Sequence, residues 1–487
     1  MVNRRSFLAL TAVSGLAAAC RTADSRPSPP PAVDTSVPLP VPPLLHPEPD
    51  GDGVRQFELT LQAGRTEILP GLSTPTWGFN GAFLGPTLRA GRGDVVRVTV
   101  RNTLPEATSV HWHGMHLPAA MDGGPHQTVE PDAVWTPSWT VRQPAATLWY
   151  HPHPHGSTAL HVYRGLAGMF ILDDGEEHGL PTAYGVDDVP LVLQDKRFAA
   201  DGSLAGDPLG GFYGILGDRM LANGTLNARF DVTTERVRLR ILNGANARMF
   251  NLAFADGRRF HVVGNDSGLL SAPVEVDRLP LTPGERAEVV VAFAPDERVV
   301  LRTLDNGVDL AKGNFDIMSF ATASELAPSP ALPAHPADLP PITPPSGARV
   351  RTFTLNGRDT INSKQMDMDR IDVVVPAGAT EVWEVATGGS SHNFHIHGVA
   401  FQVLEVDGAP PDASAAGYKD TVFVRSRSSA RLAVRFGTDT DPARPYMYHC
   451  HILRHEDAGM MGQFVVVEPG TESGVPRTLA PGAGHHH

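Results

Sequence analysis

Cysteine is scarce in this sequence, whose 487 residues include only Cys20 and Cys450. A framework of disulfide bonds is therefore excluded as the basis of the fold. Long apolar runs are also missing, and no stretch reaches the length of a membrane-spanning helix. Positive charge is in deficit, because 40 lysines and arginines stand against 53 aspartates and glutamates. The resulting formal charge of −13 argues against nucleic acid as a partner.

Short alternating strands are what the sequence has in place of long helices. Three examples are Asp94–Val100, Arg236–Ile241 and Arg431–Phe436. The strands are separated by turns rich in glycine and proline, of which the chain has 48 and 44. This pattern is typical of β-sandwiches. A chain of this length is too long for one core, so we predict an all-β protein of two to four domains.

A weak internal repeat sets the number of domains at three. In the first and third copies a β-rich run leads to His111–His113 and to His395–His397. The middle copy has Asn251 and Ala253 at the equivalent positions. We therefore expect metal ligands in the first and last domains only. The predicted segments are domains over 54–185, 186–325 and 349–470, a proline-rich linker over 326–348 and a tail over 471–487.

The N-terminus is predicted to be an export signal over residues 1–20. Arg4 and Arg5 precede an apolar run, Phe7–Ala19, that is too short to span a membrane. Twin arginines in this position indicate the bacterial Tat route and a periplasmic or cell-surface location. Cys20 follows a sequence that loosely resembles a lipobox, so lipidation of Cys20 and simple cleavage before it both remain open. Residues 21–53 are proline-rich and are predicted to form a disordered tether.

Histidine is the residue in excess, with 21 copies. Residues i and i+2 of a strand lie on the same face, so a His-x-His segment can present two imidazoles together. A single pair could arise by chance, but four pairs are present. Eight imidazoles exceed the needs of one ion and indicate a small metal cluster where two domains meet. The pairs are His111 and His113, His151 and His153, His395 and His397, and His449 and His451.

The segment around Cys450 predicts a second kind of metal site. Cys450, His455 and Met460 supply a thiolate, an imidazole and a thioether, and one more histidine would complete a blue copper site. On a strand, the flanking His449 and His451 point to the opposite face from Cys450. One segment could therefore join two metal sites covalently.

These motifs resemble those of the multicopper oxidases, and most closely those of three-domain bacterial laccases and periplasmic cuprous oxidases. The resemblance extends over about residues 54–468 and implies three cupredoxin-like Greek-key β-sandwich domains. Beyond the histidine pairs, it rests on Trp149–His153, Gly165–Gly168, Gln194–Phe198, Leu242–Arg248 and Lys419–Val422.

The resemblance also implies four copper ions and their ligands. His392, Cys450, His455 and Met460 would hold a type 1 copper, with Met460 as the weak axial ligand. His111 and His395 would hold a type 2 copper. His113, His151 and His451 would hold one type 3 copper, and His153, His397 and His449 the other. A relative that has lost copper and serves as a structural factor would lack some of these residues.

Two acids match family residues that supply protons to the cluster. Asp122, in Met121–Gly124, matches an acid near the type 2 copper, although Asp-Gly-Gly is also good turn chemistry. Glu456 matches a second acid on a proton path, with a solvated surface acid as the alternative. A carboxylate can relay protons when it lies within hydrogen-bond or one-water reach.

The remaining candidates have simpler interpretations. Four histidines that belong to neither the paired scheme nor the type 1 set are predicted to be ordinary hydrogen-bonded or exposed residues. These are His116, His126, His155 and His161. The segment Met366–Asp369 could bind Cu(I) through thioether and carboxylate groups, but a loop of mixed exposure is the simpler interpretation.

The electron donor is predicted from two differences between this sequence and those of the cuprous oxidases. Those enzymes carry a methionine-rich insertion before the third domain's ligands, whereas residues 326–348 contain no methionine. They also have an Asp and a Met just before the first type 1 histidine, where this chain has Gly388–Ser391. We therefore expect a monomeric laccase-like oxidase that takes electrons from phenols and aromatic amines and passes them to O2. The alternatives are a metallo-oxidase acting on Cu(I), Fe(II) or Mn(II) in copper tolerance, and a copper carrier without enzymatic activity.

Overall fold

The computed structural model describes residues 36–479 of the chain. The predicted signal over 1–20, the lipidation of Cys20, residues 21–35 of the tether and residues 480–487 of the tail lie outside the described residues. Over the described part the prediction of an all-β fold is confirmed, because six sheets form three sandwiches in chain order.

The first sandwich has one sheet in the order β4-β3-β6-β8, with β9 paired to β6, and a second in the order β2-β5-β11-β10-β7. Its strands are β2 (Leu44–Leu45), β3 (Val54–Thr66), β4 (Thr74–Phe79), β5 (Thr87–Gly91), β6 (Val95–Asn102), β7 (His111–His113), β8 (Val134–Trp135), β9 (Ser138–Thr140), β10 (Ala146–His151) and β11 (Gly168–Asp173).

The second sandwich has sheets in the orders β1-β15-β23-β22-β17-β20 and β14-β13-β12-β16-β21-β18-β19. Its strands are β1 (Val37–Pro38), β12 (Asp188–Lys196), β13 (Arg219–Ala222), β14 (Thr225–Leu226), β15 (Ala228–Thr234), β16 (Arg236–Asn243), β17 (Phe250–Phe254), β18 (Phe260–Asn265), β19 (Gly268–Val276), β20 (Leu279–Leu281), β21 (Arg286–Ala292), β22 (Arg298–Thr303) and β23 (Phe315–Ala327).

The third sandwich has sheets in the orders β25-β24-β27-β31-β29 and β26-β33-β32-β28-β30. Its strands are β24 (Val350–Asn356), β25 (Thr360–Ile361), β26 (Val373–Pro376), β27 (Thr380–Thr387), β28 (His392–Ile396), β29 (Ala400–Val406), β30 (Thr421–Val424), β31 (Ser429–Arg435), β32 (Tyr446–His449) and β33 (Met461–Val467).

Helices are short within residues 36–479. The α-helices are α1 (Thr158–Arg164) and α2 (Leu453–Asp457), and single 3-10 turns lie at Ala119–Met121, Asp309–Ala311, Ala413–Ala415 and Glu472–Gly474. Neither α-helix has the length that crossing a bilayer requires. The two helices are joined because the Asp457 carboxylate accepts bonds of 2.9 Å from the backbone N–H groups of Thr158 and Ala159.

Each sandwich encloses its own apolar core. Strand β6 alternates inward and outward residues, so that Val96, Val98 and Val100 are fully buried. This is the period of two that alternating hydrophobicity predicts for a strand with one buried face. In the third sandwich, Trp383 and Phe394 bring residues from both sheets into one buried cluster.

The prediction of a disordered tether is wrong for its described part, residues 36–53. Strand β1 pairs in parallel with β15, and β2 pairs in parallel with β5. The proline carbonyls of this segment accept further bonds, from Tyr184 to Pro42 and from Asn223 to Pro40. An extended proline-rich chain offers unpaired acceptors, and here both the first and the second sandwich use them.

The predicted tail differs from the structure in a similar way. Residues 471–479 pack against the third sandwich, where the Leu479 side chain is buried and its N–H donates to the carbonyl of Asp369. Strand β23 continues two residues into the linker predicted over 326–348 and ends at Ala327; residues 328–348 contain no strand, and β24 begins after them, at Val350.

Candidate metal centre

Eight histidines from the first and third sandwiches lie packed against one another. None of them is more than 1% exposed. His111 stacks on His397 with ring centroids 3.8 Å apart, and His113 stacks on His395 at 3.7 Å. Each stack joins a ring of the first sandwich to a ring of the third, so this imidazole cluster lies where the two sandwiches meet. The eight are His111, His113, His151, His153, His395, His397, His449 and His451.

The strand registers explain why the rings converge. In the first sandwich β7 pairs with β10, so that His111 lies opposite His151. In the third sandwich β28 pairs with β32, so that His395 lies opposite His449. Because side chains two residues apart share a face, each pair directs both of its rings to the same side of its sheet.

Backbone carbonyls fix the tautomers of three of these rings. The Nδ1–H groups of His111, His151 and His395 donate to the carbonyls of Asp122, Pro152 and Asp420 at 2.8–2.9 Å. A carbonyl only accepts, so the lone pair of each ring lies on Nε2. All three Nε2 atoms are buried without a hydrogen-bond partner. A buried, unpartnered lone pair is costly unless it binds a metal.

His113 has the opposite arrangement. Its Nε2 lies 3.1 Å from Oδ1 of Asp420 and donates to it, whereas its Nδ1 is buried and unpartnered. Both ring nitrogens of His451 lack partners, and its ring lies 5.0 Å from that of His113 and 5.2 Å from that of His151. The donor set therefore fits metal binding at several points of the cluster.

Ligand atoms within the cluster fall into groups that could each hold an ion, with atoms no more than 4.8 Å apart. One group is His153, His397 and His449, the set predicted for a type 3 copper. A second contains His111 and His395, predicted for type 2, together with His397. A third contains His113 and His151, predicted for the other type 3 copper, together with His111. His451, the third residue predicted for that copper, lies outside this group and contacts the rings of His113 and His151.

Burial favours the neutral form of five of the cluster imidazoles. Removal from water lowers the pKa of His111, His151, His397 and His449 well below the ordinary value, and neighbouring histidines lower it further. Burial also lowers the pKa of His153 to about 4. Metal binding requires neutral imidazole, so the rings are in the binding form at neutral pH.

Cys450, His392 and His455 form a separate buried group. The Cys450 Sγ lies 3.6 Å from Nδ1 of His392 and 3.5 Å from Nδ1 of His455. Burial raises the pKa of the Cys450 thiol to about 12, so a nearby cation is needed to stabilise the thiolate. Met460 is fully buried, and its backbone bonds to both Cys450 and His455 hold it in the same turn. Two imidazoles, a thiolate and a thioether are the donor set of a blue copper site.

The outer nitrogens of both histidines in this group are engaged. The Nε2 of His392 lies 3.0 Å from the Ser390 hydroxyl, and the Nε2–H of His455 donates to the carbonyl of Phe212 at 3.1 Å. Phe212 belongs to a loop of the second sandwich. These bonds leave both Nδ1 atoms directed at Cys450.

Asp122 lies inside the protein, beside the imidazole cluster. Its Oδ2 accepts a 2.7 Å bond from Nδ1 of His397, and its Oδ1 is buried without a partner. Burial raises the pKa of this carboxyl well above its usual value. Asp122 also ends the 3-10 turn, and a side chain at Gly123 would collide with the Val110 carbonyl. Asp122 therefore ends the 3-10 turn and also directs its carboxylate at the imidazole cluster.

Glu456 is 1% exposed, which excludes the alternative of a solvated surface acid. Its carboxylate lies 3.3 Å from Nδ1 of His449 and 3.6 Å from Nδ1 of His153. Burial raises its pKa above the ordinary value. Asp122 and Glu456 thus contact different rings of the cluster.

A buried ion-pair network connects all three sandwiches at His113. Arg286, from the second sandwich, donates bonds of 2.8 and 2.6 Å to the two oxygens of Asp420. Burial alone would raise the pKa of Asp420, but Arg286 and His113 hold it well below its usual range. Lys419 adds ion pairs to Asp266 at 2.9 Å and Glu285 at 3.0 Å. Asp420 can therefore remain ionised while it orients His113.

The histidines predicted to be ordinary lie outside the groups of possible ligands. His161 contacts Thr108 and Glu106 through its two nitrogens, and His126 contacts Gln463 at 2.5 Å. His116 is near the interface between the first and third sandwiches, and burial lowers its pKa to about 4. His155 is exposed, and partial desolvation lowers its pKa.

Models of multicopper oxidase domains match the chain in three places, over residues 60–177, 194–302 and 340–470. Each match covers one sandwich. The chain belongs to the multicopper oxidase family. Copper is accordingly the metal that the family implies for these residues.

Relatives within the family carry different names. The chain is 35% identical to the multicopper oxidase mco of Staphylococcus aureus, over 88% of this chain and 92% of that protein. It is 36% identical to the cell division protein FtsP of Escherichia coli, over 96% of this chain and 99% of that protein.

Solved structures show the same diversity. The laccase-like multicopper oxidase CueO from Ochrobactrum sp., with oxidase activity towards lignin model compounds and lignosulfonate, has a TM-score of 0.82 and 38% identity; the match covers 88% of this chain and 100% of that one. A multicopper oxidase of Campylobacter jejuni described as a metallo-oxidase has a TM-score of 0.79 and 27% identity, over 89% of this chain and 96% of that one.

Sequence reasoning missed the contributions of the second sandwich. The Lys419–Val422 motif signals the family, but nothing in it indicates that Asp420 contacts His113 or pairs with Arg286. The loop that includes Phe212 carries no recognisable motif at all. Both contacts depend on how distant sandwiches pack.

Cys450→Ser tests the assignment of the blue site. A hydroxyl cannot replace the thiolate as a soft ligand, so the variant should lose the blue absorption and donor oxidation. Visible spectra and copper analysis of the purified variant provide the measurement. Blue colour that survives the substitution would show that Cys450 is not the type 1 ligand.

Asp420→Asn tests the orientation of His113. An amide can present its NH2 group to Nε2 of His113, which weakens the preference for Nδ1 as the ligand atom. We expect the variant to lose copper affinity at the cluster by roughly 10- to 100-fold, and to keep the blue absorption. Competition with a copper chelator measures this affinity, and Asp266→Asn is a control in the same network. Equal copper retention by both variants would exclude the positioning role.

Proposed function

We propose that the chain is a laccase-type multicopper oxidase that oxidises phenolic or aromatic amine donors and reduces O2 to water. It would use one type 1, one type 2 and two type 3 copper ions. When bound, these ions store single electrons from successive donors and deliver four to dioxygen. The observation that carries the proposal is the presence of two adjacent buried donor sets, made of imidazoles, one cysteine and one methionine.

The proposed electron path follows one short segment of backbone. Cys450 belongs to the group His392, Cys450, His455 and Met460, which we call the blue group, and its neighbours His449 and His451 belong to the imidazole cluster. The two groups are thus joined through a few covalent bonds. The proposed assignment gives His392, Cys450, His455 and Met460 to type 1, and His111 and His395 to type 2. It gives His113, His151 and His451, and His153, His397 and His449, to the type 3 pair.

The proposed proton path uses the two buried acids. Burial raises the pKa of both Asp122 and Glu456, which favours the protonated form of each carboxyl and so allows it to serve as a proton donor. Their contacts with His397 and His449 place them beside the cluster. Reduction of O2 to water consumes protons, and buried carboxyls in these positions can supply them.

The exposure and the backbone hydrogen bonds of the Met366–Asp369 segment favour organic donors over metal ions as substrates. The Asp367 side chain is more than half exposed and lies 3.7 Å from Arg370. Backbone carbonyls of this segment are bonded to Gln463, as in an ordinary structural loop. The laccase-like Ochrobactrum relative supports the same choice. A metallo-oxidase acting on Cu(I), Fe(II) or Mn(II) is the second candidate, supported by the Campylobacter relative and by the closeness of Met366 to Gly459, beside Met460.

The FtsP relatives raise a role in cell division without redox chemistry. A scaffold has no need for eight buried imidazoles, six of which have a ring nitrogen without a partner, because burying these groups costs free energy and does nothing for a binding surface. The complete donor set therefore supports an enzyme.

We also propose export by the Tat route to the periplasm or cell surface, with a possible lipid anchor at Cys20, and a monomeric state.

Asp122→Asn should leave the coppers bound and slow the reduction of O2. An amide cannot donate a proton as a carboxylic acid does, so the loss should be about a hundredfold or more. Stopped-flow mixing of fully reduced protein with O2 gives the rate of reoxidation. Asp132→Asn, an exposed turn residue of the same sandwich, is the control. Normal reoxidation in the Asp122 variant would remove the residue from the mechanism.

A donor panel tests the choice between organic and metal substrates. Oxygen uptake by fully copper-loaded protein is measured with phenols, aromatic amines, Cu(I), Fe(II) and Mn(II). We expect turnover of the phenols and aromatic amines without added copper. Negligible phenol oxidation combined with rapid Cu(I) oxidation would support the metallo-oxidase instead.

A further inference from the structure

The surface over the blue group is formed by four short segments that are bonded to one another. The Ser390 hydroxyl donates to the carbonyl of Gly357, and the N–H of Arg427 donates to the carbonyl of Gly388. The third contact is the bond from His455 to Phe212. We call this surface the type 1 face; its segments are residues 357–359, 388–392, 425–427 and 454–455, with the loop 207–216 of the second sandwich above them.

Four arginines of the type 1 face have no carboxylate partner within residues 36–479. They are Arg358, Arg425, Arg427 and Arg454. Elsewhere many arginines are paired, as Arg89 is with Asp173 and Arg351 with Glu381. Burial is the main cause of the lowered pKa of His455, and the nearby charges of Arg454 and Arg358 lower it further. An uncompensated positive group is therefore concentrated at the metal site of a chain whose net charge is −13.

The carboxylates near this face do not neutralise the arginines. Asp207 accepts the N–H of Leu209 within its own loop, and Asp359 accepts a bond from Gln365. Asp309, which acts on the neighbouring Tyr213, is paired with Lys312 at 2.8 Å. Asp457, on which Arg454 acts electrostatically, is bonded to the backbone of Thr158 and Ala159. The four arginines thus outnumber the three acids that lack a basic partner, and the face is locally positive.

Apolar surface lies beside these charges. Leu209 is 38% exposed and Phe212 41% exposed, both unusually high for large hydrophobic residues in this protein. The Phe212 ring lies 5.2 Å from the His455 ring, edge to face, and the Tyr213 ring lies 5.5 Å from it. A flat aromatic molecule resting on Phe212 would be separated from His455 by a single side chain. The bond from His455 to the Phe212 carbonyl adds a direct connection.

Together, exposed aromatic surface and unpaired guanidinium groups match one class of donor. Aromatic rings stack on Phe and on guanidinium planes, and anionic groups pair with arginine. We propose that the type 1 face docks aromatic donors that carry negative charge, such as phenolates, aromatic carboxylates and aromatic sulfonates, and disfavours cationic donors, hydrated metal ions included. This inference rests on the proposed function and specifies its substrate class.

The redox step is balanced by the proposed activity. Each donor loses one electron at this face, and a phenol also releases its hydroxyl proton to solvent. Four such electrons and four protons convert one O2 to two molecules of water. The arginines take no part in these transfers and act only by raising the local concentration of the anion and by orienting it.

Three aromatic amines with a common ring test the charge preference on fully copper-loaded protein. One carries a sulfonate, one is uncharged and one carries a quaternary ammonium group. We expect the lowest KM for the sulfonate and the highest for the ammonium compound. Added salt should raise the KM for the sulfonate and lower the KM for the ammonium compound, because screening weakens both attraction and repulsion.

Variants of the arginines and of Phe212 separate the two parts of the proposal. Arg358→Gln and Arg427→Gln should each raise KM for the sulfonate about two- to fivefold and change KM for the uncharged amine much less, and the corresponding substitutions by Lys should largely restore KM for the sulfonate. Phe212→Ala should raise KM for all three amines and leave hexacyanoferrate(II), an inorganic anion, unchanged. The arginine variants should raise KM for hexacyanoferrate(II), because it is an anion. Arg101→Gln, an exposed arginine of the first sandwich, is the matched control.

The possible outcomes distinguish this inference from the proposed function. Equal KM values for the three amines, or no effect of salt and of the arginine variants, would overturn the docking inference while laccase-type oxidation stands. Oxidation of hexacyanoferrate(II) without oxidation of any amine would overturn both. Effects of Arg101→Gln equal to those of Arg358→Gln would show that only net charge matters, and that the type 1 face is not the docking site.

Discussion

The burial of eight imidazoles in one place is the constraint on which the rest of this structure depends. Each ring has two nitrogens that water would otherwise satisfy, and several of these nitrogens have no partner inside the protein. Such an arrangement is stable only if the rings remain neutral, their tautomers are fixed and their free lone pairs bind metal. Strand registers, carbonyl acceptors and buried acids around the cluster all meet parts of this requirement.

The second sandwich contributes to both sites without contributing a ligand. Its Arg286 holds Asp420 ionised, and Asp420 in turn orients His113. Its loop at Phe212 bonds to His455 and covers the blue group. In the middle copy of the repeat, Asn251 bonds to the backbone of Leu304 instead of facing a metal. This sandwich has therefore become a support that connects the outer two.

Local patterns allowed the all-β fold and the convergence of the paired histidines to be predicted. Alternating strands reveal sandwiches because burial on one face repeats every two residues, and His-x-His pairs reveal convergent rings for the same reason. Contacts between distant segments left no such pattern. The burial of Glu456, the pairing of Arg286 with Asp420 and the use of residues 36–53 as edge strands depend on packing between sandwiches. Proline-rich composition was misleading for that last segment, because prolines can still accept hydrogen bonds.

The central claim is that the blue group and the imidazole cluster act as one unit that gives four electrons to each O2. The most direct test counts the molecules of a one-electron donor oxidised per O2 consumed by fully copper-loaded protein, with hydrogen peroxide assayed in the same samples. The account predicts four donors per O2 and no peroxide. Two donors per O2, with peroxide as the product, would contradict it.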